Sequence, residues 1–90
     1  MNRRILNGMV RACQDFLEDK ISTDYVLDFL IASANALEKL PREHSLMFHV
    51  LFDELAHVDG IPPSNEHIKR VIGDMLVFLD KLLKDDSGLH

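Results

Sequence analysis

The chain has 90 residues, 47% of them apolar, and 15 acids against 10 bases give a formal charge of −5. That length bounds it to one domain, of a size that buries only about 60–65% of its unfolded surface. With 4 Gly and 3 Pro, composition argues against disorder and against a turn-rich all-β fold, and no apolar run approaches the ~20 residues of a membrane span.

Four helices are expected, over residues 3–19, 23–40, 42–58 and 65–84, with a frayed tail at 85–90. In the first, Ile5, Met9, Ala12 and Phe16 recur at spacings of three and four, and Leu6, Val10, Cys13 and Leu17 widen the stripe. Its start has no secretory h-region and reads as a helix, so a cytoplasmic protein is expected. Cys13, the only cysteine, has no internal disulfide partner and reads as a buried, inert thiol.

Ser22 is placed to cap the second helix, with Ile21 and Val26 as a hydrophobic staple and Asp24 suiting the dipole. Val26, Leu30, Ser33, Leu37 and Leu40 form one line until Pro41, which itself can open the third helix. Tyr25 reads as a core-edge aromatic with a wet hydroxyl. "DGIPPSN" stops the third helix, with Gly60 as the left-handed residue. Ser64 caps the fourth, whose buried line is Ile68, Ile72, Met75, Leu79 and Leu82. No segment alternates as a strand does, so the fold class expected is all-α: a single-domain antiparallel four-helix bundle over residues 1–90.

The third helix carries the unusual pattern. Residues 46–60, "LMFHVLFDELAHVDG", hold two histidines, three acids and no lysine or arginine. At 100° per residue Phe48, Leu51, Phe52, Leu55 and Val58 form the core stripe. Opposite lie His49, Asp53 and His57, flanked by Glu54, with Leu46 and Val50 among them. Three readings compete for this strip. It can be a solvated face in which Asp53 helps each histidine by a few tenths of a kcal/mol. It can hold a metal through His49 and Asp53, or Asp53 and His57, with a further ligand from His44 or His67. One ion cannot easily take all three, because His49 and His57 are about 12 Å apart along the axis. No HExxH-like motif is present, and no metal and no cofactor are expected. Or it can be a partner surface: aliphatics ringed by acids, suited to a basic, partly apolar cleft.

Charge along the chain points the same way. Residues 1–12 hold Arg3, Arg4 and Arg11 and no acid, whereas residues 43–66 hold Glu43, Asp53, Glu54, Asp59 and Glu66 and no base. Such a segment repels nucleic acid and favours a basic protein; the bland alternative is that it only keeps the chain soluble. There is no glycine-rich phosphate loop and no nucleophile elbow, Ser22 and Ser64 are explained as caps, and no enzyme is expected.

"FLEDKISTDYVLDFL", "LFDELAHVDGIPPSNEHI" and "VIGDMLVFLDKLL" resemble the colicin D-type immunity family, small helical bacterial proteins with relatives in contact-dependent growth inhibition. The likeness runs over about residues 13–83. It rests on Phe16, Leu17, Ile21, Ser22 and Tyr25, then on Leu51, Phe52 and Asp59, then on the leucine-rich last helix. The family's loop after the third helix is often richer in acids than "GIPPSNE". "VDGIPPSNEHI" is also similar, over a shorter stretch, to tellurite-resistance B-type helical domains. The first resemblance implies a monomer that binds the toxin domain of a bacteriocin or contact-delivered effector one to one, often a tRNA-cleaving nuclease. Its carboxylates would lie where substrate phosphates would. The partner-binding residues expected are Leu46, His49, Val50, Asp53, Glu54, His57 and Asp59. A self-associating regulatory or structural bundle is the alternative.

Overall fold

The computed structural model describes residues 2–56 and 59–86. It contains α1 (Asn2–Leu17), α2 (Thr23–Ala36), α3 (Arg42–Glu54) and α4 (Asn65–Asp86), and no β-strand among the described residues. The expected all-α four-helix bundle is the fold found.

Each helix end has an identifiable cause. α1 closes in a Schellman motif: Asp19 takes φ 61°, its N–H donates to the Phe16 carbonyl, and the Lys20 N–H donates back to Asp15 at 2.8 Å. The helix therefore stops at Leu17, two residues before the expected end. Ser22 caps α2 as expected, its Oγ accepting from the Tyr25 N–H at 3.2 Å. Ser64 does the same at the head of α4, accepting from the His67 N–H at 3.2 Å.

Two expected boundaries are corrected. The second helix ends at Ala36 rather than residue 40, with Leu37 extended at φ −67°, ψ 137°. The primary amide of Asn2, at the start of α1, accepts from the Glu38 N–H at 2.9 Å and donates to the Glu38 carbonyl. This partner takes both backbone groups of Glu38 out of the helical ladder, and Lys39 follows with φ 54°. Leu37 and Leu40 still pack on the core, but from an extended segment. The third helix ends at Glu54 rather than residue 58. The Leu55 and Ala56 N–H groups donate to the carbonyls three residues back, at 3.0 and 3.1 Å, which tightens the last turn. Gly60 is left-handed as expected, φ 77°, but sits six residues beyond that end, next to Asp59 at φ 53°. Val58 lies outside the described residues. α4 runs two residues past its expected end, to Asp86.

The contacts fix the topology. Asn2 and Glu38 join the start of α1 to the end of α2; the Lys69–Asp19 ion pair, 3.3 Å, joins the end of α1 to the start of α4. His67 Nε2 donates to the Glu54 carbonyl at 2.7 Å, tying the end of α3 to the start of α4. At the other end His44 and Phe48 of α3 meet Phe78 edge-on, with centroids 6.0 and 5.0 Å away. The helices therefore alternate up, down, up, down. α1 packs on α4 and α2, and α3 packs on α4; among the described residues α2 and α3 make no extensive contact. The bundle is closed on three sides and open on the fourth.

The fully buried large side chains are Met9 and Cys13 of α1, Val26 and Leu30 of α2, and Val71, Ile72, Met75 and Leu79 of α4. Burial without a polar partner pushes the Cys13 thiol up to about 12, in keeping with an inert thiol. No helix among the described residues is long and apolar enough to cross a membrane.

Candidate functional site

α3 buries Phe48, Leu51 and, just past its end, Leu55, with Phe52 half-buried beside them. That orientation turns the opposite face outward. Leu46, Val50 and Met47 are 53%, 52% and 43% exposed, which is high for large apolar side chains. His49, Asp53, Glu54 and Asp59 are exposed as well. Of the seven expected partner residues, six therefore lie on the surface, and His57 lies outside the described residues.

The loop to α4 gathers the acids. Asp53, Glu54 and Asp59 line one open recess of about 560 Å³, with Ile61, Pro62 and Pro63 as its apolar wall and His67 at its back. No lysine or arginine is among the residues lining it. Among the described residues none of the three carboxylates takes part in an ion pair. Three uncompensated negative groups around one concavity attract cations and basic side chains, and the exposed aliphatics of α3 run up to its rim.

Helix geometry and loop geometry build this recess together. Asp53 and Glu54 stand at the last turn of α3, whose tight ending lets the chain swing back at once. Asp59 and Gly60, both left-handed, reverse it. The His67 bond to the Glu54 carbonyl then pins that end of α3 to α4. His67 is thus a positioning residue for the acids. Its spacing from Ser64 was readable in the sequence, but its partner was not. Met47 and the 68%-exposed Ile61 are further members of the surface. An aliphatic between Gly60 and Pro62, in a loop of turn formers, was the signal for the second.

Among the described residues no three His, Cys, Asp or Glu side chains converge so as to hold a metal ion. His44 packs on Phe78 and His67 on a carbonyl, so neither joins His49 and Asp53 as the third ligand that the metal reading requires. No protein-family model, curated protein or solved structure matches the chain.

Proposed function

We propose that this chain is an immunity protein that neutralises a nuclease toxin domain by covering its basic cleft, as the resemblance to the colicin D-type immunity family implies. One observation carries the reading. Asp53, Glu54 and Asp59 share a recess that no base lines, beside an exposed ribbon of Leu46, Met47 and Val50. In the complex the carboxylates meet lysines, arginines or a catalytic histidine of the toxin, in place of substrate phosphates. Leu46 and Val50 exclude water around them, as the apolar anchors of an interface do. Charge of opposite sign speeds encounter and makes it sensitive to salt. The mode is one-to-one occlusion; the chain itself performs no chemistry.

The test is to express the reading frame next to this chain, which the proposal requires to encode a basic toxin domain, and to measure whether this chain protects cells against it. Asp53→Lys with Glu54→Lys should weaken binding on the order of a hundredfold or more and abolish protection. Both residues are exposed, so the helical circular dichroism and the melting curve should stay close to those of the parent. Full protection by the double variant would refute the assigned face.

Exposure of Leu46, Met47 and Val50 also favours a second reading, a bundle that self-associates through α3. A two-fold contact on that face would bring together Glu43, Asp53 and Glu54 of both copies with Arg42 as the only base of α3, which opposes it. Light scattering separates the two: a monomer at high concentration removes self-association.

A further inference from the structure

The open side of the bundle is a second surface, which adjoins the acidic recess at Asp53. Between α2 and α3 runs a groove of about 300 Å³, floored by Phe48, Phe52, Ala34 and Leu40, with Ile31 on one lip and His49 on the other. In an up-down-up-down bundle this is where α2 and α3 would interdigitate; here their apolar sides face a gap. Ile31 is 47% exposed, so the groove is wet along its α2 lip.

The charges around the groove select what can fill it. On α2, Asp24, Asp28 and Ile31 fall on one stripe by their spacing, and α2 carries no lysine or arginine. On α3, Asp53 continues the His49 lip at a spacing of four, and Arg42 is the only base of that helix. Because α2 and α3 run antiparallel, the first half of α2 lies beside the second half of α3. Asp24, Asp28 and Asp53 therefore mark the same end of the groove, and Arg42 marks the other. A second copy of this chain entering through the same face would offer these three acids a single base of α2 or α3, Arg42. A partner helix with an apolar stripe and flanking lysines or arginines meets no such opposition.

We infer that the α2–α3 groove receives an amphipathic helix of a partner protein, with its basic residues at the Asp24–Asp28–Asp53 end. α2 is 14 residues long, so about four turns of helix, roughly 20 Å, would fill the groove. The inserted helix would supply the packing that α2 and α3 do not give each other. The inference deepens the proposed binding role by naming the element of the partner. It does not depend on that partner's being a nuclease.

The probe is a synthetic amphipathic peptide with leucines at helical spacing and lysines on the flanks. Its controls are the same peptide with glutamates for the lysines, and a scrambled basic peptide. Titrated into the isotopically labelled chain, the basic amphipathic peptide should shift the amide signals of Ile31, Ala34, Phe48, His49 and Phe52. The two controls should leave them in place. Ile31→Lys should weaken binding about tenfold or more and Asp28→Lys about fivefold, whereas Val77→Lys, at a still more exposed aliphatic on α4, should bind like the parent. Equal binding by the glutamate peptide, shifts on another face, or parent-like binding by Ile31→Lys would each overturn the inference. So would a dimer of the chain itself whose contacts include Ile31. No toxin enters this titration, so its failure leaves the protection test intact, and failure of the protection test leaves the groove intact.

Discussion

α3 and the other three helices are built from the same kinds of residue but do different work. α1, α2 and α4 share the fully buried side chains, from Met9 to Leu79. α3 contributes none of these; Phe48 and Leu51 keep 4% and 5% of their surface, and the Phe78 contact and the His67–Glu54 bond add to their packing in holding the helix. In exchange it exposes three large aliphatics and presents two of the three acids of the recess. α1 is the hub on which α2 and α4 pack, and the core takes from α3 only its Phe48–Leu51–Leu55 side, which leaves the opposite face of α3 free to be shaped for the outside. The cost is that α3 should be the least stable part of the fold.

The largest effect that would test this contrast is a pair of identical truncations. Leu30→Ala, in the closed core, should cost about 3 kcal/mol in denaturant unfolding. Leu46→Ala, at 53% exposure on α3, should stay within about 0.5 kcal/mol. Similar losses at both sites would mean that Leu46 packs on something in solution. Next comes Phe78→Ala, which removes the ring that Phe48 and His44 meet edge-on and should cost about 2 kcal/mol. Amide exchange should then rise through α3 more than through α2; a uniform rise would make α3 an integral part of one cooperative core.

Cys13 sharpens the other half of the comparison. Its thiol is pushed up to about 12 in the folded chain, from an ordinary value of 9.0. The folded state thus keeps a proton that the unfolded state releases above pH 9. The associated stability is fully present below pH 9 and is lost as pH rises from 9 towards 12. Thiol reagents at pH 8 should leave Cys13 unmodified until the chain is unfolded; prompt labelling would mean that the α1–α4 core opens readily. The smallest effect belongs to the connection before α3. Lys39 holds φ 54°, a region that costs a side chain about 1 kcal/mol, so Lys39→Gly should stabilise the fold by roughly 0.5 kcal/mol. A loss would mean that the Lys39 side chain makes a contact that outweighs its backbone strain.

What could be read from the sequence is what depends on near neighbours along the chain. The Ser22 and Ser64 caps, the burial of Cys13, and the core stripe of Phe48, Leu51 and Leu55 follow from spacings of three and four residues. The ends of α2 and α3 do not, because their causes are remote. Asn2 takes the backbone of Glu38 from 36 residues away, and His67 reaches the Glu54 carbonyl across 13 residues. The outward position of Leu46, Val50, Asp53 and Glu54 was legible from the same wheel. Their union with Asp59 was not, since it needs the early stop of α3 and two left-handed residues in the loop. The open α2–α3 side is likewise a property of how helices meet, which periodicity does not encode.

The central claim is that this chain meets its partner through the outer face of α3 and the loop beyond it. Hydrogen exchange of the chain, alone and saturated with a basic toxin nuclease domain that it is proposed to neutralise, tests that claim directly. The expected result is slowed exchange concentrated in residues 46–61, extending to the groove-lining residues 31–35 of α2, with α1 little changed. Protection centred instead on the arginine-bearing start of α1, with residues 46–61 exchanging as in the free chain, would contradict it.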